Sequence, residues 1–188
     1  MKSRFEMRVS STVLNIVVTA MLFLLPPFAG SQTPSGKEVV TPTAYASFYP
    51  VARGSSFQVA VVMKIRPGFH VNAREVSEDY LIRTDLKADG PAGFKIGDVA
   101  YPKGTLQTFV FSKNKQLNVY TDSVTLRVPV TALPDAPTGP QHLPMKLRYQ
   151  ACSSEICLPP VTLPVDATLN VVAEGKAARP ANPEIFSK

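Results

Sequence analysis

Phe57-Gln58-Val59-Ala60-Val61-Val62-Met63-Lys64-Ile65 is the stretch whose pattern settles the class of fold. Phe57, Val59, Val61, Met63 and Ile65 recur at every second position, while Gln58, Ala60, Val62 and Lys64 fill the alternate places. A period of two puts each set on one face of a strand, whereas a helix would scatter the five large apolar residues around its circumference. Arg66-Pro67-Gly68 then supplies a turn, and Phe69-His70-Val71 opens another extended piece.

Outward from this strand, the further extended candidates are Leu81 to Leu86, Phe94 to Tyr101, Thr105 to Phe111, Val119 to Val130, Leu143 to Ala151 and Val161 to Val172. Pro, Gly, Asn or Asp separate most of them. Roughly seven to nine short strands at this spacing predict an all-β fold, an antiparallel sandwich. The chain has 188 residues, 45% of them hydrophobic, enough for one globular domain. Its 18 prolines are scattered along the whole length, at about twice the usual share, which argues against long helices and coiled coils. Ala132 to Pro140 reads as a connection. No internal repeat and no second domain is visible.

Residues 1 to 31 read as an address rather than as part of the fold. Lys2, Arg4 and Arg8 precede an apolar run from Val13 to Leu25, and Pro26 to Ser31 follow with the small residues that a signal peptidase needs. The run is shorter than the roughly 20 apolar residues that span a bilayer, so a cleaved leader is expected rather than an anchor. Cleavage is expected between about Gly30 and Thr33, giving a mature form free of the membrane, periplasmic or secreted. The folded domain is then residues 32 to 174, with 175 to 188 a flexible polar tail. Beyond the leader, 17 Lys/Arg face 13 Asp/Glu, interspersed and without a ladder of aromatic and basic residues, so nucleic-acid binding is not expected.

Two cysteines exclude a four-thiolate zinc site or an iron-sulfur cluster. They stand in Tyr149-Gln150-Ala151-Cys152-Ser153-Ser154-Glu155-Ile156-Cys157-Leu158-Pro159-Pro160. On the strand leading in, Met145, Leu147, Tyr149 and Ala151 share one face, and Lys146, Arg148, Gln150 and Cys152 share the other, more polar one. The four-residue spacer permits a hairpin that brings the thiols within bonding range. Closing so small a ring removes about 2 kcal/mol of unfolded-state entropy, against about 4.7 kcal/mol for a 100-residue loop, so the pair is poorly placed as a staple. Pro159 and Pro160 donate no ladder hydrogen bond, which should leave Cys157 more approachable than Cys152. Outside the cytosol both a structural bridge and an exchanging pair remain open on this evidence. Phosphate loops, nucleophile elbows and paired-carboxylate signatures are lacking, so a hydrolase has no support.

Tyr-Gln-Ala-Cys, a short spacer and Cys-Leu-Pro-Pro resemble the cysteine motif of the N-terminal domain of DsbD, the bacterial thiol:disulfide interchange protein. Gly54, Pro67-Gly68-Phe69-His70-Val71-Asn72, Tyr101-Pro102-Lys103-Gly104, and Val119-Tyr120 leading into Val124 to Val128 are similar to that domain in the same order, over about residues 39 to 172. The resemblance implies an immunoglobulin-like antiparallel β-sandwich in which Cys152 and Cys157 cycle between dithiol and disulfide without a bound cofactor. It implies a donor, either a membrane thiol carrier or a thioredoxin-like protein, and oxidised periplasmic proteins as acceptors. It also implies a cap loop, here between Gln107 and Val119, whose aromatic ring covers the disulfide: Phe111 is the first candidate and Phe109 the second. The other reading of each ring is an ordinary core aromatic, since both share one strand parity.

Two features depart from the family pattern. Gln107 and Thr108 stand where acidic residues often precede the cap aromatic, and Lys113 and Lys115 follow it. The membrane carrier and thioredoxin-like domains that usually follow are not expected within a chain ending at Lys188, so a separate protein should supply electrons. The rival to exchange is an immunoglobulin-like binding or scaffolding module with a structural disulfide. His70 and His142 could join the thiols as copper or zinc ligands, but one belongs to the resembling strand and the other to a Pro-rich connection, so no metal is expected.

Overall fold

The computed structural model describes residues 33–187. The leader and its cleavage site therefore lie outside the described residues. No helix among the described residues is long and apolar enough to cross a membrane.

Among the described residues, twelve strands form three four-stranded sheets. The first sheet has the order β1 (Val40–Ala46), β3 (Ser56–Ile65), β9 (Ser123–Ala132), β6 (Phe94–Ile96). The second has the order β2 (Val51–Ala52), β12 (Val161–Val172), β10 (Gly139–Tyr149), β5 (Asp85–Ala88). All pairings within these two are antiparallel except β12 with β2. Their inner faces carry Val59, Val61, Met63, Leu126 and Val128 on one side and Leu143, Met145, Leu147, Tyr149 and Leu169 on the other, all buried in one core. The two sheets face each other across this core as an antiparallel β-sandwich of the immunoglobulin-like kind.

The third sheet positions the cysteines. Its order is β11 (Ala151–Cys152), β4 (His70–Asn72), β8 (Gln116–Tyr120), β7 (Thr105–Thr108). Three chain breaks feed it from the sandwich. The Arg66-Pro67-Gly68-Phe69 turn, with Gly68 at φ 82° and the Phe69 N–H donating to the Arg66 carbonyl at 3.1 Å, hands β3 over to β4. This is a type II turn, whose third position demands the left-handed backbone that glycine supplies. Val119 to Val130, expected as one strand, is divided into β8 and β9 at Asp122, which has φ 57°. Leu143 to Ala151 is likewise divided at Gln150, where β10 ends and β11 pairs with β4 instead. β1 escapes the sequence pattern because Pro42 interrupts it, and it is an edge strand, where a missing N–H is tolerated.

Residues 175–187, expected as a flexible tail, fold back onto the sandwich. Phe48 and Pro180 form an antiparallel bridge, flanked by Tyr49 N–H to Arg179 carbonyl and Ala181 N–H to Ser47 carbonyl hydrogen bonds, each 2.9 Å. The turn Pro183–Phe186 then brings the Ile185 carbonyl to Arg127 Nη2 at 2.7 Å. Polar composition misled the expectation because backbone groups, which carry no sequence signature, make most of these contacts.

Candidate functional site

Cys152 and Cys157 are joined by a disulfide, with their Cα atoms 4.0 Å apart. The hairpin geometry explains the proximity. Hydrogen bonds from Ser153 N–H to the Ile156 carbonyl and from Leu158 N–H to the Ala151 carbonyl, both 2.8 Å, bracket the pair. The cysteines thus occupy a non-hydrogen-bonded pair, the position at which opposed Cα atoms approach most closely. Ser153 Oγ shapes the four-residue turn by accepting the Glu155 and Ile156 N–H groups at 3.2 and 3.1 Å. After Leu158 the ladder lapses through Pro159 and Pro160 until β12 begins.

The two sulfur-bearing residues differ sharply in exposure: Cys157 is exposed, whereas Cys152 is 0% exposed. Strand parity placed Cys152 on the polar face of β10, and it does lie opposite to Ala151. The face is nevertheless dry at that point. Val71, Tyr120 and Ala151 on one side of the third sheet join the main core. On the other side Leu117 and Val119 form a second cluster with Leu81, Val76, Phe109 and Phe111. His70, Asn72 and Cys152 share this second side, because His70 pairs with Cys152 and Asn72 with Val119.

The roof over this face is the β7–β8 hairpin, the segment between Gln107 and Val119. It closes through a short 3-10 turn, Val110–Ser112, followed by Lys113 and Asn114 at φ 49° and 69°. Ser112 holds the turn. Its buried Oγ accepts the Phe109 N–H at 3.2 Å and lies 2.9 and 2.7 Å from the Phe109 and Lys115 carbonyl oxygens. Lys115 Nζ contacts both Glu78 carboxylate oxygens at 2.9 Å, tying the hairpin to the neighbouring loop. Both candidate rings stand here, half-buried. Phe109 stacks on His70 with centroids 3.8 Å apart and planes 11° apart, and Phe111 lies to the side, 6.2 Å from His70 and 5.6 Å from Phe109. The second candidate is therefore the one pressed against the partner of Cys152.

His70 itself is 2% exposed, and its Nε2 is buried with no hydrogen-bond partner among the described residues. Burial lowers its pKa to about 4, so the ring is neutral near neutral pH. Asn72 and Gln150 form the frame. Asn72 Nδ2 donates to the Ile82 carbonyl at 3.0 Å, its own carbonyl accepts from Thr84 Oγ1 at 2.6 Å, and Gln150 Nε2 donates to the Leu158 carbonyl at 3.3 Å. Tyr149, beside them, donates from its hydroxyl to the Gly36 carbonyl at 2.7 Å, and burial pushes its pKa up to about 12. Periodicity flags none of these polar residues; their one sequence signal was membership of the Gly-Phe-His-Val-Asn and Tyr-Gln-Ala-Cys motifs.

His142 stands ten positions before Cys152 on the exposed side of β10, 2.6 Å from Asp166 through Nδ1. No group of three or more His, Cys, Asp or Glu that could hold a metal occurs among the described residues. A cleft of about 980 Å³, lined by Arg74, Asp85, Tyr101, Asn118 and Tyr120 among others, contains neither cysteine nor His70.

The sequence profile described as thiol:disulfide interchange protein DsbD, N-terminal, matches residues 37–168. The chain belongs to this family. Among solved structures it is similar to the reduced DsbD N-terminal domain of Neisseria meningitidis, at 20% identity over 85% of this chain and 98% of that one, with a TM-score of 0.43. It is also similar to the N-terminal periplasmic domain of ScsB from Proteus mirabilis, at 12% identity over 75% of this chain and 50% of that one, with a TM-score of 0.49. No curated protein matches it. The DsbD N-terminal assignment and the Cys152–Cys157 disulfide together fit a thiol–disulfide exchange module.

Proposed function

We propose that this DsbD N-terminal module takes electrons from a membrane thiol carrier or thioredoxin-like protein and passes them to oxidised periplasmic proteins through Cys152 and Cys157. The observation that carries the reading is the asymmetry of the pair: Cys157 is exposed beside the hairpin turn, whereas Cys152 is buried opposite His70, the ring on which Phe109 stacks. An exchange step needs an approachable sulfur and a second thiol that resolves the mixed disulfide. Cys157 attacks the partner disulfide, and Cys152 then closes on Cys157 and releases the reduced partner. The β7–β8 hairpin acts as the cap, with Phe109 as the covering ring and Phe111 supporting it, so that a docking protein gains access that small thiols lack. A disulfide in the folded domain and the leader-like residues 1 to 31 support a periplasmic or secreted location with the leader removed.

Trapping with a thioredoxin-like partner tests this. Cys152→Ser should accumulate a mixed disulfide through Cys157, because the resolving thiol is gone, whereas Cys157→Ser should trap little. The opposite pattern would reverse the roles. Failure of both variants to trap, with a reduction potential well below about −300 mV, would instead identify a structural bridge.

A further inference from the structure

Cys152 must become a thiolate to close on Cys157, since the thiolate is the nucleophile. Its surroundings oppose this, because Cys152, at 0% exposure, is cut off from solvent bases. On its face of the third sheet stand Phe109, Phe111, Leu117 and Val119, none of them titratable, together with Asn72 and His70. An amide is no base. His70 is directly opposite Cys152 in the β4–β11 ladder, and opposed residues hold their Cβ atoms about 4.5 to 5.5 Å apart on one face. Its buried Nε2 lacks any hydrogen-bond partner among the described residues, an expensive state for a polar atom in a well-packed site.

We propose that His70 is the proton acceptor that activates Cys152 for resolution of the mixed disulfide. The proposal rests on the exchange reading above. In the mixed disulfide, Cys157 is bonded to the partner sulfur and Cys152 is a thiol. The Cys152 proton passes to the imidazole, and the Cys152 thiolate attacks Cys157 Sγ. The Cys152–Cys157 bond forms as the bond from Cys157 to the partner breaks. The partner leaves as a thiolate and takes up the proton from the imidazolium. Two electrons pass from the module to the partner, and His70 returns to its neutral form. Phe109, stacked on the ring, keeps the acceptor dry and oriented until the cap moves.

The electrostatic surroundings are simple. Burial is the only cause that acts on the His70 pKa. On β8 the ionisable side chain is Tyr120, which pairs with Val71 and so occupies the other face, its hydroxyl engaged by the Arg74 N–H and the Pro102 carbonyl. On the cap, Lys115 is turned to Glu78 and Lys113 is exposed; in the hairpin turn Glu155 is exposed. The thiol pair is the group that can change the charge of His70.

The test uses the reduced full chain and 5,5′-dithiobis(2-nitrobenzoate), with thionitrobenzoate release followed at 412 nm by stopped flow. The first equivalent reports attack by Cys157 and the second reports closure by Cys152. His70→Phe keeps a stacked ring but no acceptor. It should leave the first phase within about twofold and slow the second about tenfold near pH 7, less than the usual contribution of a positioned base because the pKa of His70 lies well below the working pH. The second phase of the variant should also rise about tenfold per pH unit as the bare thiol ionises, while that of the native chain stays flatter. Second-phase rates within twofold, with the same pH profile, would overturn the proposal. Should His70→Phe fail to fold, nitrogen NMR of His70 in the native chain decides: its titration should move upward from the disulfide to the dithiol form, and identical titrations would overturn the assignment. The probe needs no protein partner, so failure of protein trapping sinks the exchange reading separately from this one.

Discussion

At the scale of single residues, His70 and Phe109 carry the argument. A buried neutral histidine links stability to pH. Its folded pKa of about 4 lies below the unfolded value near 6.5, so the unfolded chain binds the extra proton in acid. The contribution is complete above about pH 6.5, declines as pH falls toward 4, and amounts to roughly 3 kcal/mol. His70→Phe should remove this dependence. Urea midpoints of the variant and the native chain at pH 7 and pH 4.5 should therefore diverge in acid, in favour of the variant; a constant gap would mean that His70 is not held neutral. Phe109 should show a different signature. Phe109→Ala should speed reduction of the disulfide by dithiothreitol several-fold while lowering stability by less than the roughly 3 to 5 kcal/mol of a fully buried phenylalanine, because the ring is only half-buried. Phe111→Ala should have the smaller effect on the reduction rate, since Phe111 lies farther from His70 than Phe109 does. Equal melting loss with no rate gain for both would return the rings to a purely structural role.

At the scale of elements, the proposed cap is the β7–β8 hairpin, held at its root as well as at its tip. Gly104 precedes β7, and a Cβ there would fall 2.7 Å from the Ala73 Cβ and collide with Asn118 Oδ1. Neither can withdraw easily, because Asn118 Nδ2 is bonded to the Glu75 carbonyl at 2.7 Å and Ala73 is a core residue of the chain after β4. Gly104→Ala should therefore displace the hairpin root, costing about 1 to 3 kcal/mol by overpacking and raising the dithiothreitol reduction rate. Hydrogen exchange at Gln116 to Tyr120 would locate the damage: faster exchange confined to β7 and β8 is expected, and unchanged protection there would mean that the root tolerates the methyl group. β11 behaves differently. It is only two residues long, and its position depends on the Gln150 and Asn72 frame rather than on ladder length.

At the scale of the whole molecule, the sandwich and the site have separate cores, so redox change should not threaten the fold. The disulfide closes a ring of about six residues, and its loss should lower unfolding stability by only about 2 kcal/mol on the chain-entropy estimate. Circular dichroism of the reduced chain should match that of the oxidised chain, with a melting point lower by a few degrees. Loss of the sheet signal on reduction would make the bridge a structural staple and remove the ground for treating the pair as exchangeable.

Alternation in Phe57 to Ile65, the turn at Arg66-Pro67-Gly68 and the Cys-Leu-Pro-Pro ending were enough to specify a sandwich, the Cys152–Cys157 hairpin and the family, because period, turn chemistry and missing N–H groups are local properties written residue by residue. Val161 to Val172 was legible to its ends for the same reason. Whether the face of Cys152 would be wet or dry was not legible. Its parity marked a polar face, and only the arrival of β7, β8 and the loop at Leu81 made that face a second core. The choice between Phe109 and Phe111 was equally closed to the sequence, since both share a parity in the expected strand Thr105 to Phe111, whereas β7 ends at Thr108 and the 3-10 turn Val110–Ser112 sets the two rings apart. His70 gained its meaning from register alone: a histidine in an apolar strand is unremarkable until the ladder sets it opposite a buried cysteine. Register between segments some 80 residues apart depends on the packing of all three sheets, and no local pattern encodes it.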